Sequence, residues 1–239
     1  MSVVTPNAAR WRSVRAHALL KPAKDIESAV VAAGGIYGAA PTCYLSLAAR
    51  VAAFQPSDLD RVLYEKRSLV RVPAMRGSIY MLPVELAPCG LALAGTSALA
   101  GMLQRVGLDA AQYRRVAGAI EDVLAAGPGT AAEIRRGLGS WREPHEGLLT
   151  LLLRQMSYEG RIVRGRVRGG WRSQTSRQEA LRRLAHLYFA ANGPATPDDF
   201  AWWAGASSRS SECSGWRPAG ESCDRRARRD PAGGARVAR

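Results

Sequence analysis

The sequence is poor in the residues that build metal centres and disulfide frameworks. It contains four cysteines and three histidines, and no two cysteines stand at the Cys-x-x-Cys spacing of a zinc site. It also lacks any uncharged apolar run of about 18 residues, the length that a membrane span needs, and residues 1–15 lack the apolar core of a secretory signal. We therefore expect a cytoplasmic protein with no metal, no cofactor and no membrane partner.

Acidic residues are scarce relative to basic ones. The chain has 34 lysines and arginines against 20 aspartates and glutamates, a formal net charge of +14, and nearly all the cations are arginines. Such an excess favours a polyanionic partner, and nucleic acid is the first candidate. A GC-rich genome is the competing explanation, but it accounts only for the preference for arginine over lysine and not for the shortage of acids.

A ten-residue segment occurs twice, which indicates an internal repeat. Residues 125–134 and 191–200 align at an offset of 66 residues, and each copy contains Gly-Pro-x-Thr after a predicted amphipathic helix. Thr130 and Thr196 stand at the N-cap position of a second, short helix with an acid in its first turn. The repeat therefore predicts two copies of one helical unit.

A third helix and a hairpin complete the first copy. Residues 146–158 predict an amphipathic helix whose polar face carries Gln155 and Ser157. Two strand patterns follow, at 161–164 and 171–175, around a loop of glycine and arginine. Three helices and a β-hairpin are the layout of a winged helix, in which the third helix enters a DNA groove and the wing lies on the backbone.

An earlier part of the chain has the same order of elements. Helices are predicted over 25–33, 42–51 and 57–66, and strands over 69–72 and 78–82. The predicted fold is therefore mainly α with small β-hairpins, an α+β class built from tandem winged-helix domains. The expected domains are winged helix 1 at 10–85, a helical connection at 86–110, winged helix 2 at 111–176, the start of an incomplete winged helix 3 at 177–206 and a tail at 207–239.

The tail differs in composition from the rest of the chain. Residues 207–239 consist mainly of arginine, alanine, glycine, serine and proline, without a helical or strand period. One interpretation is a disordered basic arm that follows phosphates. The other, which we prefer, is an out-of-frame end, because the change follows a predicted helix that would have nothing to pack on. That helix carries Phe200, Trp202 and Trp203, whose apolar surface we expect to be exposed.

Arginines are concentrated around the third helix and the wing of the second unit. Residues 154–177 contain seven of them, and Glu159 is the only acid in that stretch. A solvated basic hairpin in a protein-binding module would show the same charge. We favour contacts with DNA phosphates, because alternate residues of a wing share one face. The expected DNA-binding residues are Arg154, Arg161, Arg164, Arg166 and Arg168, followed by Arg71 and Arg76 on the first wing.

Two segments resemble one family in particular. Residues 75–78 read Met-Arg-Gly-Ser, and residues 193–205 contain Gly-Pro-Ala-Thr and Asp-Phe-Ala-Trp-Trp-Ala-Gly. Together with residues 35–51 and 58–71, they resemble the AlkZ/YcaQ family of bacterial DNA glycosylases, over about residues 10–206. The resemblance implies tandem winged helices and a monofunctional glycosylase, without a metal, that removes alkylated or crosslinked purine adducts. Members of that family usually continue into a C-terminal β-barrel, which has no counterpart here.

The family's Gln-x-Gln or Gln-x-Asp motif is replaced in this sequence. Residues 35–41 lie at the matching place, and Tyr37 and Ala39 stand where the two polar residues belong. Breaking an N-glycosidic bond develops positive charge on the sugar, which two short polar side chains can stabilise while they hold the attacking water. Alanine has no polar atom, and a tyrosine hydroxyl is a poor base near neutral pH. Tyr37 is therefore the candidate catalytic residue by position, and the sequence leaves enzymatic activity open.

Three functions follow from the sequence. The first is a winged-helix protein that binds double-stranded DNA of the nucleoid through its phosphates, in the context of repair of alkylated or crosslinked DNA. The second is a non-catalytic transcriptional regulator that binds an operator as a dimer. The third is an active DNA glycosylase with an atypical site at Tyr37. The lesion and the oligomeric state are left open.

Overall fold

The protein is mostly helical and has one small antiparallel sheet, so the predicted class is confirmed. The computed structural model describes residues 5–94, 101, 103–139, 141, 147–163 and 175–206. None of the helices in these ranges is long and apolar enough to cross a membrane. The helices and strands are α1 (Pro6–Ala16), α2 (Ile26–Ala32), β1 (Ile36–Tyr37), α3 (Thr42–Ala48), α4 (Pro56–Asp60), β2 (Leu69–Pro73), β3 (Ile79–Pro83), α5 (Ala87–Ala94), α6 (Ala110–Ala125), α7 (Ala131–Gly137), α8 (Leu148–Tyr158), α9 (Arg177–Asn192) and α10 (Pro197–Ala204).

The first unit, from α2 to β3, has the topology of a winged helix. α2, α3 and α4 precede the hairpin of β2 and β3, and β1 pairs with the other edge of β3, so the sheet order is β1-β3-β2. Ile36 pairs with Met81, and Tyr37 pairs with Tyr80. The sequence predicted the helices and the hairpin but missed β1, because two residues carry no strand period.

Local signals set the helix starts of the first unit, and apolar burial holds the helices on the sheet. The Asp25 carboxylate accepts a hydrogen bond from the Ser28 amide at the start of α2. Pro56 begins α4 with a fixed φ, and the amide of the preceding Gln55 donates to Asp58. Each large apolar side chain buried in this core contributes roughly 1.5–3 kcal/mol. The fully buried ones are Leu47, Leu59, Leu69 and Met81.

The second unit, α6 to α8, encloses a separate core. Thr130 caps α7 as predicted: its hydroxyl accepts from the Glu133 amide at 3.3 Å, and its own amide donates to the Glu133 carboxylate at 2.6 Å. These bonds hold the pKa of Glu133 below its usual value. The wing predicted for this unit lies mostly at residues 164–174, outside the described residues. The buried core residues include Val116, Ile120, Ile134, Leu149, Leu152 and Met156.

Only part of the predicted polar face of α8 is exposed. Gln155 and Ser157 are each 2% exposed. α8 contacts α6 and α7 on one side and β2 of the first unit on the other. Thr150 and Arg154 are exposed as members of that face, whereas Gln155 and Ser157 are buried in a helix that also contacts the first unit.

The third unit, α9 and α10, packs on the first. α9 lies against α5 and also contacts α1 and α2, whereas α10 contacts α9 and the short turn Met75–Gly77 between β2 and β3. Phe200 is 5% exposed, and Trp203 packs its ring 5.0 Å from that of Tyr188. The expectation that α10 has nothing to pack on is therefore wrong for these residues. The expected exposure of apolar surface on this helix is found at Trp202, which is 69% exposed.

The second and third units begin alike, as the repeat predicted. Thr196 caps α10 in the same way as Thr130 caps α7, with its hydroxyl accepting from the Asp199 amide at 3.2 Å and its amide donating to the Asp199 carboxylate at 2.8 Å. Each short helix follows a longer one, α6 or α9, of 16 residues. The sequence repeat is thus a repeat of local structure, although α9 is packed on a different neighbour.

Candidate nucleic-acid interface

The turn Met75–Gly77 is the place where all three units meet. Arg76 and Gly77 both have left-handed backbone conformations, with φ values of 55° and 67°. From the second unit, the Tyr158 hydroxyl donates a hydrogen bond to the Gly77 carbonyl. From the third unit, Gly205 lies so close that a Cβ there would be 3.2 Å from the Arg76 Cα. These contacts fix the backbone of Arg76 while its side chain is exposed.

The exposed side chain of Arg76 lies over an exposed tryptophan. Its guanidinium carbon is 4.2 Å from the centroid of the Trp202 ring, within cation–π distance. Arg76 belongs to the Met-Arg-Gly segment, and Trp202 and Gly205 belong to the segment at 193–205. The two segments that carry the family resemblance are therefore in direct contact, although they are distant in sequence.

Arg154 approaches the same turn from the second unit. It is exposed on α8, one helical turn before Tyr158, and its guanidinium carbon is 5.6 Å from the centroid of the Tyr158 ring. Its Nη2 lies 3.5 Å from the Tyr158 hydroxyl oxygen, which in turn bonds Gly77. Arg76 and Arg154, two of the predicted DNA-binding residues, thus stand on either side of one hydrogen-bonded contact.

Tyr37, the candidate catalytic residue, lies on the same face of the sheet as Tyr80. The two rings are edge to face, with centroids 6.2 Å apart, and the Tyr37 side chain is 46% exposed. Burial raises the pKa of Tyr80, the neighbouring Tyr37 adds to this, and the positive charge of Arg76 opposes it. The two tyrosines therefore form an aromatic pair on one face of the sheet, with Tyr37 the more exposed of the two.

The position of the family motif has no second polar side chain. Ala39 is exposed and follows Gly38, whose amide extends the β1–β3 ladder by donating to the Ile79 carbonyl at 2.9 Å. A Cβ at Gly38 would lie 3.1 Å from the Met81 side chain, so the backbone here passes close to the sheet. Tyr37 therefore supplies the only side-chain hydroxyl at the two motif positions.

Arg71 pairs with Met81 and lies on the opposite face of the sheet from Tyr37 and Tyr80. Its Nη1 is 3.5 Å from the Tyr64 hydroxyl and its Nη2 is 3.9 Å from the Cys43 sulfur. Its Nε is buried and has no hydrogen-bond partner among the described residues. The guanidinium is thus half-buried between the sheet and the helices of the first unit, away from the tip of the wing.

Arg161 is held in an internal ion pair. Its Nε and Nη2 each donate to the Glu121 carboxylate at 2.8 Å, and Glu159 lies 3.9 Å away. The two hydrogen bonds to Glu121 raise the pKa of Arg161. The Tyr113 hydroxyl donates to Glu159 at 2.7 Å, and burial together with this contact raises the pKa of Tyr113. The Arg161 side chain is only 14% exposed. It joins the end of α8 to α6, and its charge is already neutralised.

The remaining predicted contacts, Arg164, Arg166 and Arg168, lie outside the described residues. The sequence analysis did not predict that Tyr158 and Trp202 contact the turn Met75–Gly77. The spacing of Arg154 and Tyr158, four residues apart on one helix, was the available signal for the first. In the part of the chain that the structure describes, no group of three histidine, cysteine or acidic side chains could hold a metal ion.

Three helices followed by the β2–β3 hairpin make the first unit a winged helix, and the capped short helix of the second unit is repeated in the third. The DNA glycosylase AlkZ-like family matches residues 28–216, and the chain belongs to that family. The resemblance inferred from the sequence is thereby confirmed. The matched range extends past residue 206, into the segment that we interpreted as out of frame.

One solved structure is similar over most of the chain. It is the Streptomyces sahachiroi DNA glycosylase AlkZ, with a TM-score of 0.65 and 22% sequence identity. The similarity covers 85% of this chain and 62% of that one, so the present chain spans less than two thirds of the solved protein. At this identity the similarity establishes the fold. No curated protein matches the chain.

Proposed function

We propose that the protein binds double-stranded DNA through its phosphates, with weak sequence preference, and acts in the repair of alkylated or crosslinked DNA of the nucleoid. The observation that carries the proposal is the pair Arg76 and Arg154. Both are exposed, neither has a carboxylate partner among the described residues, and both stand at the turn where the three units meet. Two uncompensated guanidinium groups at one junction suit a chain of phosphates.

The wing of the second unit adds the remaining contacts of the proposal. Arg164, Arg166 and Arg168 alternate in sequence, so in a strand they would share one face and present their charges to a single phosphate backbone. Arg161 is left out because Glu121 already neutralises it. Arg71 is left out because its guanidinium is half-buried behind the sheet.

The salt dependence of duplex binding tests this proposal. Five arginines that neutralise five phosphates give a slope of log K against log salt of about −4.5. Replacing Arg164, Arg166 and Arg168 by alanine should reduce the magnitude of that slope by about three. A matched control replaces Arg182 and Arg183, which are paired with Glu179 at 2.8 and 2.9 Å, and should leave the slope unchanged. An unchanged slope in the triple variant excludes the wing, and no binding in dilute buffer excludes the proposal.

Glycosylase chemistry at Tyr37 is the second candidate function. The observation that favours it is the exposure of Tyr37 beside Tyr80 on one face of the sheet. The test is incubation with a duplex containing N7-methylguanine, followed by detection of abasic sites. Tyr37→Phe keeps the ring and removes the hydroxyl. Excision by the wild type that this variant loses would support the second candidate, whereas binding without excision supports the first.

A regulator would behave differently in a footprinting experiment. Protection of two half-sites at a fixed spacing indicates a dimer on an operator. Protection that does not depend on sequence agrees with the phosphate contacts proposed above.

A further inference from the structure

The exposure of Trp202 is not explained by packing. The other aromatic residues of α10 are used in the core, where Phe200 and Trp203 contact Tyr188 with ring centroids 5.6 and 5.0 Å away. Trp202 is on the opposite side of the helix and is 69% exposed. Its described neighbour is the guanidinium of Arg76. A large apolar ring that the fold leaves in water beside a cation is typical of a binding surface.

The Arg76–Trp202 pair is held in place by the units around it. The left-handed backbone of Arg76 is enclosed by Gly205 and by the hydrogen bond from Tyr158 to Gly77. Trp202 is on a helix with a capping box at its start and a left-handed glycine, Gly205, at its end. The backbone under each group is therefore fixed before a ligand arrives, which lowers the ordering cost of binding.

The chemistry of the pair indicates the kind of ligand. A guanidinium and an indole are planar groups on which a nucleobase stacks, and the positive charge also attracts the phosphates that accompany it. The positive charge disfavours a cationic ligand. A ligand that bound only through phosphates would not need the indole ring. A second aromatic pair, Tyr37 and Tyr80, lies on one face of the sheet with ring centroids 6.2 Å apart.

We propose that Arg76 and Trp202 form a stacking site for an unpaired nucleobase of bound DNA. The inference rests on the proposed duplex binding and adds a preference for DNA in which one base is free of its partner. Phosphates give the protein its affinity for any duplex, and the stacking site increases the affinity where a base is unpaired.

The experiment compares two duplexes that differ by one bulged adenine, at the same salt concentration. The wild type should bind the bulged duplex about tenfold more tightly, as expected for one base stacked on an aromatic side chain. Trp202→Ala should remove that preference and change the affinity for the perfect duplex less than about twofold. Trp202→Phe keeps a smaller ring and should retain a preference of about threefold. Arg76→Lys keeps the charge but loses the plane, so it should reduce the preference more than the duplex affinity.

A matched control and a second readout separate stacking from folding. Trp11→Ala removes another exposed tryptophan, 60% exposed on α1, and should leave the preference for the bulge unchanged. A 2-aminopurine in the bulge should lose fluorescence when the wild type binds and keep it when Trp202→Ala binds. Equal affinity of the wild type for both duplexes, or a preference that survives Trp202→Ala, overturns the stacking site alone. Absence of binding to either duplex overturns the proposed function as well.

Discussion

Arg76 and Arg161 were both predicted to contact DNA phosphates, but the first is exposed and the second is paired with an acid inside the protein. Arg76 is exposed, lies over an aromatic ring and has no carboxylate partner among the described residues. Arg161 is 14% exposed and forms a double hydrogen bond with Glu121. A local excess of arginine therefore does not measure the charge available to a ligand, because an acid from a distant helix can neutralise part of it.

The largest effect is expected for Arg161→Ala. It leaves the Glu121 and Glu159 carboxylates without their cation, and the free energy of unfolding should fall by about 2 kcal/mol. That value is below the range for fully buried pairs because the Glu121 side chain is 37% exposed. Urea denaturation measures it, with Arg154→Ala as the control. The slope of DNA affinity against salt should not change, and a decrease of about one would show that Arg161 contacts phosphate.

A somewhat smaller effect is expected for Gly205→Ala, which tests how closely Arg76 is held. The variant places a Cβ 3.2 Å from the Arg76 backbone at a residue with φ of 74°, and should cost about 1.5 kcal/mol of stability. Gly139→Ala is the matched control, because Gly139 also has a positive φ, 59°, but open space around its Cβ position. Equal losses in the two variants would mean that only the backbone conformation matters and that Arg76 is not confined.

Tyr158→Phe should cost about 1 kcal/mol, because the Gly77 carbonyl loses its hydrogen bond. The ring remains, so its packing against the turn is kept. Tyr37→Phe serves as the comparison, since the Tyr37 hydroxyl has no partner in the described part of the chain, and its unfolding should be unchanged. Identical denaturation midpoints for the two variants would argue against the contact between the second unit and the turn.

The smallest effect on stability is expected for Arg76→Ala and Arg154→Ala. Each removes an exposed side chain and should change the free energy of unfolding by less than about 0.5 kcal/mol. Each should nevertheless reduce the magnitude of the salt slope of duplex binding by about one. This is the reverse of the result expected for Arg161→Ala. A loss of stability without a change in the salt slope would show that Arg76 and Arg154 stabilise the fold, like Arg161, and do not contact phosphates.

The sequence was sufficient to predict those parts of the fold that local signals decide. The threonine caps, the glycine and proline positions and the amphipathic helices predicted the units and their repeat, because hydrogen bonds within a few residues decide them. The sequence analysis did not predict β1, because Ile36 and Tyr37 form a strand only when β3 provides a partner. Local reasoning has no access to such a partner.

The site was harder to predict because its contacts cross between units. Glu121 neutralises Arg161 from 40 residues away, and Tyr158 reaches Gly77 from 81 residues away. The burial of Gln155 and Ser157 likewise depends on which unit packs against α8. The family resemblance marked the segments of Arg76 and Trp202, but only the fold shows that they touch.

The Arg76–Trp202 contact has a consequence for biosynthesis. A ribosome delivers Arg76 early and Trp202 only near the end of the described chain, so an unfinished polypeptide carries the cation without the indole. If the stacking proposal is correct, a chain that ends before residue 202 keeps the guanidinium of Arg76 and lacks the ring against which it lies. Such a product should show no preference for an unpaired base.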